Sequence, residues 1–262
     1  MRNCFVVIFS IIFYLCKSQP LNSARQSLEE VAGFFEGDMN LSNQQLRDIF
    51  MNPNAGVLDS RRRWNRDSIT RNVIVPFQIR ARSPYTQTQH NIIRAAMDEI
   101  ERNSCIRFVQ RTNQQDFIEI FSGNGCWSHV GRNGGMQELS LAHSSSATCV
   151  TNGIVMHELL HALGFYHMQS SSNRDNFVRI NWENIQPGME HNFLKYDHNT
   201  VGLFNTNYDF DSVLHYSRTA FSRNGRDTIT TLSSQNNGRI GQRMRMSNGD
   251  FTRLRNMYNC ST

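Results

Sequence analysis

Three histidines and a glutamate lie close together near the middle of the chain, with a spacing that could build a metal site. His157 and His161 are four residues apart, and Glu158 follows the first of them. On an α-helix, residues four apart lie only about 40° apart around the axis, so both imidazoles can bind one ion. Glu158 then lies beside that ion, where it can take a proton from bound water without being a ligand itself.

A third histidine, His167, can reach the same ion only if the helix ends before it. On a continuous helix, His167 would lie about 15 Å from His157 along the axis. Gly164 lies between them, and a glycine enters the left-handed conformation without steric penalty, so the chain can turn back there. Three imidazoles favour Zn²⁺ over Ca²⁺ or Mg²⁺, which prefer oxygen ligands. The competing interpretation is a plain buried helix, because the other residues of this segment are mostly apolar.

The size and charge of the chain limit the classes of protein to consider. Its 262 residues are 39% hydrophobic, enough for one well-cored domain with processing segments or for two small domains. Lys and Arg number 27 against 22 Asp and Glu, a net charge of +5 that is scattered apart from Arg61, Arg62 and Arg63. Because there is no long basic run, nucleic acid is not an expected partner.

The first residues have the layout of a secretory signal peptide. A basic residue precedes the apolar stretch 4–16, and polar residues follow it. A membrane anchor is the alternative, but about 13 apolar residues are too few for a bilayer that needs roughly 20. We therefore predict cleavage near Ser18, an extracellular protein, and no membrane span once residues 1–18 are removed.

Four cysteines remain after this removal, an even number in a compartment where disulfides persist. They are Cys105, Cys126, Cys149 and Cys260. Two bridges are expected, and the sequence spacing leaves all three pairings open. A zinc site made of four cysteines is disfavoured because no two of them are separated by only two residues.

Residues 19–63 are polar and end in the three arginines. We predict a pro-segment with a processing site at these arginines, followed by a main folded domain over residues 64–262. A flexible linker or a solvated charge cluster is the alternative. Asn40 begins a glycosylation sequon within this segment, and a second sequon at Asn259 contains Cys260.

The pattern of apolar residues predicts both strands and helices. Alternation over residues 73–79 is typical of a half-buried strand, and Thr86 with Gln89 can form a capping box at the start of a helix. Further strands are predicted at residues 106–108, 117–121 and 137–141. After Gly164 regular periodicity fades until a last helix capped by Ser247.

The segment from His157 to His167, together with several others, resembles the astacin family of metzincin proteases. The other matching segments are residues 74–77, 105–108, 125–128, 130–132, 174–175, 212–216 and 240–243. The resemblance implies an α+β, zincin-like fold with two subdomains, a mixed β-sheet, an active-site helix and a cleft between the subdomains. It also implies that Cys105 pairs with Cys260 and Cys126 with Cys149.

The same resemblance implies a secreted zinc-dependent endopeptidase that acts on proteins or peptides with one Zn²⁺ per subunit. Its metal ligands would be His157, His161 and His167. Glu158 would act as general base and then as general acid. Tyr216 matches the tyrosine that lies near the metal in the family, and its phenol could stabilise the oxyanion.

Other positions match segments of the family that bind substrate or keep the precursor inactive. The resemblance implies an edge strand on which an extended substrate pairs its main chain, made of Cys126, Trp127, Ser128 and His129. Arg243 would line the pocket after the scissile bond and favour an acidic residue there. Phe35, Glu36, Gly37 and Asp38 match the pro-segment motif whose aspartate occupies the open zinc position.

The chain departs from the family at several positions close to the metal motif. Met168 replaces the glutamate that ordinarily receives the new N-terminus after processing, so that ion pair is in doubt. Leu214 replaces a methionine beneath the metal, a substitution that nearly conserves volume and should cost less than about 1.5 kcal/mol. Ser171 and Asn173 replace charged residues. Two alternatives therefore stay open: a weak or inactive relative that binds proteins, and an extracellular domain in which zinc only stabilises the fold.

Overall fold

The computed structural model describes residues 27–51, 60–196, 203–236 and 239–260. The predicted signal peptide at residues 1–18 lies outside these ranges, and so does the beginning of the predicted pro-segment. Within the described ranges, no helix combines the length and the apolar character needed to cross a membrane.

A six-stranded mixed sheet forms the upper half of the molecule. Its strand order is β1-β5-β6-β4-β2-β3, and neighbouring strands are parallel except for the antiparallel pair β5 and β6. The strands are β1 (Met39–Asn40), β2 (Val73–Ile79), β3 (Ile106–Gln110), β4 (Phe117–Phe121), β5 (Cys126–His129) and β6 (Met136–Leu141). The four strand segments predicted from apolar patterns are all present.

Two helices pack in the core of this half. Helix α2 (Gln87–Arg102) begins with the predicted capping box, in which Thr86 accepts from the backbone of Gln89 and Gln89 reaches back to Thr86. Its apolar face belongs to one buried core together with β2 and helix α3 (Asn152–Ala162). A short helix α1 (Asn43–Met51) follows β1 outside the sheet.

The lower half contains mostly irregular chain around a second buried core. Its regular part is a two-stranded antiparallel sheet, β7 (Val178–Ile180) with β8 (Ile229–Thr231). Helix α4 (Asn248–Met257) comes last and contributes Phe251, Leu254 and Met257 to the first core. Helix α4 has the predicted cap at Ser247. The small sheet was not predicted, because three residues per strand give too little alternation to detect. The α+β class predicted from the sequence is confirmed.

Two disulfides join distant parts of the chain, with the pairing that the resemblance implies. Cys105, before β3, pairs with Cys260 after α4, and their Cα atoms are 5.3 Å apart. Cys126 of β5 pairs with Cys149 before α3, with 5.7 Å between Cα atoms. Each bridge is expected to stabilise the fold by about 2 to 4 kcal/mol, mainly by restricting the unfolded chain.

The three arginines of the predicted processing site lie against the upper half. The backbone amide of Arg132 donates to the carbonyl of Arg62 at 2.7 Å. The guanidinium of Arg132 donates to the carbonyls of Arg61 and Arg63, at 2.9 and 3.1 Å. These hydrogen bonds hold the three arginines against the folded chain, so cleavage there would require them to open. The boundary between residues 63 and 64 stays a prediction.

The C-terminal end of α3 is held by side chains from remote parts of the sequence. The last carbonyls of a helix have no partner within it and need one elsewhere. The indole of Trp64 donates to the carbonyl of Ala162 at 2.8 Å, and the hydroxyl of Tyr258 donates to that of Leu163 at 2.9 Å. The amide of Gly131 donates to the carbonyl of His161 at 2.9 Å. These hydrogen bonds fix where the helix ends.

Replacing Trp64 by Phe should lower the free energy of unfolding by about 1 to 3 kcal/mol, because the buried carbonyl of Ala162 loses its donor. The matched control is Trp182→Phe, since Trp182 is 47% exposed. That change should cost no more than about 0.5 kcal/mol. Urea unfolding with both disulfides intact measures both values, and equal losses in the two variants would contradict the prediction.

Candidate metal centre and active site

Helix α3 places two of the three histidines and then stops, as predicted. It ends at Ala162, and Gly164 adopts a positive φ of 105°. The amide of Gly164 donates to the carbonyl of His161 at 2.8 Å, and that of Phe165 donates to Leu160 at 3.0 Å. These hydrogen bonds close the helix, and the chain then reverses so that His167 comes back towards it.

The three imidazoles converge through their Nε2 atoms. The Nε2 of His157 lies 3.0 Å from that of His161 and 3.3 Å from that of His167. All three side chains are fully buried in the described structure. The carboxylate of Asp38 completes the group, and the four candidate ligand atoms lie within 4.8 Å of one another.

The outer hydrogen bonds of His157 and His161 indicate which of their ring nitrogens can bind a metal ion. The Nδ1 atoms of His157 and His161 lie 2.7 Å from the backbone carbonyls of Val213 and Phe165. A carbonyl oxygen only accepts, so these Nδ1 atoms carry the proton and the Nε2 atoms present lone pairs. Lone pairs about 3 Å apart repel unless a cation lies between them. Since the Nε2 of His167 lies in the same cluster, the residues present suit one zinc ion bound through three Nε2 atoms.

The turn beneath the histidines is anchored by helix α4. Asp250 accepts hydrogen bonds from the amide of Val213 at 2.9 Å and from the hydroxyl of Ser212 at 2.6 Å. The same carboxylate caps α4 and pairs with Arg253. Val213 in turn holds His157 through its carbonyl. Sequence reasoning missed Asp250, although its place in a capping box with Ser247 was a detectable signal.

Two of the four departures from the family pattern, Leu214 and Met168, lie next to this turn. Leu214 is buried in the upper core, and its carbonyl accepts from the amide of Met168 at 3.0 Å. Met168 is also buried, with its sulfur 3.8 Å from the guanidinium of Arg253. Among the described residues, the Nε of Arg253 has no hydrogen-bond partner. Position 168 thus offers a sulfur and not a carboxylate to the buried guanidinium of Arg253, whose ion-pair partner is Asp250.

Glu158 lies beside the candidate ligands and is completely buried. Both of its carboxylate oxygens lack a hydrogen-bond partner within the described part of the chain. Burial raises the pKa of Glu158 well above its usual range, and the carboxylates of Asp38 and Glu29 raise it further. Both of these neighbours belong to the predicted pro-segment, so its removal would take away two charges that oppose ionisation of Glu158.

The predicted pro-segment inserts Asp38 among the three imidazoles. One carboxylate oxygen lies 3.1 Å from the Nε2 of His157, and the other lies 3.6 Å from that of His161 and 3.4 Å from that of His167. Burial alone would raise the pKa of Asp38, but the adjacent imidazoles hold it well below its usual range. The carboxylate therefore lies close to all three Nε2 atoms, and Asp38 is a fourth candidate ligand.

The predicted substrate-binding edge is covered by the same segment. Strand β1 pairs in parallel with β5, with Met39 opposite Ser128 and Asn40 opposite His129. The amide of Ser128 donates to the carbonyl of Asp38 at 2.9 Å, and that of Cys126 donates to Leu28 at 3.1 Å. The ring of Trp127 packs against Phe34, with centroids 4.5 Å apart. Backbone donors that could pair with a substrate are thus bonded to the chain's own N-terminal part.

Tyr216 and Arg243 also contact this N-terminal part. The hydroxyl of Tyr216 donates to the carbonyl of Glu36 at 2.6 Å, and its ring lies 4.7 Å from that of His167. Arg243 forms an ion pair with the buried carboxylate of Glu29 at 2.6 Å. Sequence reasoning did not single out Glu29, because a lone glutamate carries no spacing signal. Tyr216 and Arg243 therefore both lie at the candidate metal centre, and each is bonded to the N-terminal segment that covers this centre.

A buried triad of imidazoles with an adjacent unpaired carboxylate, at the end of a helix in a mixed α+β fold, defines a zinc-peptidase type of site. Residues 58–259 match the model of the peptidase family Astacin. The chain belongs to this family. The match begins before Arg61, so all three arginines lie inside the matched region.

Two relatives and a solved structure illustrate the similarity. The chain is 48% identical to high choriolytic enzyme 2 of Oryzias latipes over 189 residues, which are 72% of the chain and 64% of the relative. It is 37% identical to human meprin A subunit beta over 229 residues, which are 87% of the chain but 30% of that protein. The structure of high choriolytic enzyme 1, a hatching enzyme zinc-protease from Oryzias latipes, is 45% identical with a TM-score of 0.71. That alignment covers 78% of this chain and 97% of the other. The chain thus spans less than two thirds of either relative.

Proposed function

We propose that this chain is a secreted, zinc-dependent endopeptidase made as a latent precursor. The observation that carries the proposal is the convergence of three Nε2 atoms with Asp38, which belongs to the described N-terminal residues 27–51, here called the covering segment. The covering segment lies along the edge strand where an extended substrate would pair. A metal site closed by the chain's own carboxylate, in a cleft covered by its own backbone, suits a peptidase that is released by cleavage.

The residues that would hold zinc are His157, His161 and His167. When bound, zinc supplies a Lewis acid that polarises the scissile carbonyl and lowers the pKa of water towards about 7. Three protein ligands leave one position open, as expected for a catalytic centre, whereas closed structural sites usually have four. Once Asp38 leaves, this open position favours the catalytic role over a purely structural one.

The chain's own residues then perform the proton transfers. Glu158 takes a proton from the attacking water at its carboxylate and later gives it to the leaving amine. Its oxygens have no competing partner in the described structure, so the carboxylate is available for this role. Once its hydrogen bond to the carbonyl of Glu36 is broken, the hydroxyl of Tyr216 donates a hydrogen bond to the oxyanion. The presence of both residues argues against an inactive protein-binding relative.

Substrate would bind as an added strand on β5. The amides of Cys126 and Ser128 would pair with the substrate backbone in place of Leu28 and Asp38, and such pairing selects for an extended shape and not for a sequence. Arg243 would add side-chain preference. Glu29, buried against Arg243 beside the metal centre, indicates that the pocket takes a carboxylate. We therefore expect cleavage of extended protein segments before an acidic residue.

Replacing Glu158 by Gln should leave zinc bound and lower kcat by at least about 100-fold, because the general base is lost. The measurement is hydrolysis of an unfolded protein by the processed chain, together with zinc content by atomic absorption. Chelator treatment of the native chain gives the metal-free baseline. Native turnover in the Gln variant would rule out the assigned role of Glu158.

Replacing Asp38 by Ala in the full-length precursor should produce measurable hydrolysis before any processing, because the fourth ligand is removed. The comparison is with the native precursor and with Glu30→Gln, which changes a neighbouring pro-segment carboxylate that contacts the amide of Phe221 and no candidate ligand. Assays should include inhibitors of other proteases so that cleavage of the precursor is prevented. An Asp38→Ala precursor as inactive as the native one would contradict this prediction and show that the backbone cover alone is enough for latency.

Replacing Arg243 by Gln should abolish the preference for Asp or Glu after the scissile bond, because the charge that faces Glu29 is removed. A peptide library with every residue at that position, digested by the processed chain, gives the preference of each variant. Arg245→Gln is the matched control, since Arg245 is exposed and outside this pocket. A native chain without acidic enrichment would show that the Glu29 contact does not report substrate preference.

A further inference from the structure

Glu36 is bonded through both of its side-chain oxygens to the described residues after Arg63, here called the catalytic half. It is 1% exposed. One carboxylate oxygen accepts from the hydroxyl of Ser170 at 2.8 Å and from the hydroxyl of Tyr196. The other oxygen lies 2.8 Å from the Nδ1 of His167. A carboxylate with three donors is satisfied although it is buried, so this position is built for a negative charge.

The contact to His167 differs from the corresponding contacts of the other two candidate ligands. His157 and His161 direct their Nδ1 protons to backbone carbonyls of the catalytic half, which stay in place after processing. His167 directs its Nδ1 to Glu36, which belongs to the covering segment. Of the three imidazoles, only that of His167 thus has its outer hydrogen bond to a segment that the proposed processing removes.

The backbone at Glu36 indicates that this contact is held by its surroundings. Glu36 has a φ of 48°, in the left-handed region that a residue with a side chain rarely adopts. The hydroxyl of Tyr216 donates to its carbonyl at 2.6 Å, and Gly37 follows with a φ of 92°. The turn from Phe34 to Gly37 thus aims the carboxylate at His167 and Asp38 at the opposite, Nε2 side of the imidazoles.

We propose that Glu36 is a positioning residue for the metal centre: its carboxylate orients His167 and increases the basicity of its Nε2, so the covering segment strengthens the zinc site that Asp38 closes. An outer carboxylate partner fixes the tautomer and the ring orientation of a metal-binding histidine, and its loss typically costs about 10- to 100-fold in metal affinity. This inference rests on the proposed zinc site. It implies that processing weakens zinc binding twice, by removing Asp38 as a ligand and by removing the partner of His167.

The first test measures the zinc dissociation constant of the intact precursor by competition with a chromogenic chelator. Glu36→Gln keeps the shape of the side chain but removes its charge, and should raise the dissociation constant about 10-fold. Glu30→Gln, a change of the same chemistry at a nearby carboxylate, should leave it unchanged. If Glu36 acted only by keeping Asp38 in place, Glu36→Gln would cause no further loss in an Asp38→Ala precursor. We expect the same factor of about 10 there, and no further loss would overturn the proposal.

The second test observes the histidine rings directly, by NMR of the zinc-loaded precursor labelled with ¹⁵N in its histidines. Glu36→Gln should move the Nδ1–H signal of His167, while those of His157 and His161 serve as internal controls. An unmoved His167 signal with native zinc affinity would overturn the proposal. Failure of the proposed function would differ, because the native precursor itself would then bind no zinc.

Discussion

The end of helix α3 at Gly164 is the constraint on which the metal centre depends. Two imidazoles share a helical face automatically, but the third reaches them only because the chain reverses at a positive φ of 105°. The amides of Gly164 and Phe165 bond to the carbonyls of His161 and Leu160, but the carbonyls of the next two residues need donors from elsewhere. Trp64 and Tyr258 supply these from separate parts of the sequence, and Gly131 adds a second donor to His161. The site is thus local in sequence but depends on the packing of the whole upper half.

Sequence reasoning predicted the parts of this arrangement that have a periodic or a spacing signal. The strands at residues 73–79 and 117–121, the capping box at Thr86 and the end of α3 all follow from patterns over a few neighbouring residues. The family resemblance also predicted the disulfide pairing, which the sequence spacing had left open. The contacts of Glu29, Glu36 and Asp250 could not be predicted in this way. Each joins residues far apart in sequence, and a single carboxylate has no periodicity.

The covering segment acts on the catalytic half through carboxylates, each with a separate partner. Asp38 meets the Nε2 atoms, Glu36 meets the Nδ1 of His167, and Glu29 meets Arg243. Between these residues, the backbone of β1 pairs with β5, so side-chain and main-chain contacts form together. Burying several carboxylates is costly unless each finds a donor or a cation. Here the catalytic half provides those partners, and the same groups are the ones that a substrate would need.

The three candidate ligands are therefore supported unequally. His157 is fixed through Val213 and Asp250 to helix α4, and His161 is fixed by the carbonyl of Phe165 just after the end of its own helix. Neither support involves the covering segment. Only His167 has its Nδ1 hydrogen-bond partner in that segment, and it lies directly before Met168, where the chain lacks the family's glutamate. If the predicted pro-segment is removed, the Nδ1 of His167 loses its carboxylate partner Glu36, while His157 and His161 keep their backbone partners. We therefore expect His167 to be the ligand whose orientation is most sensitive to processing.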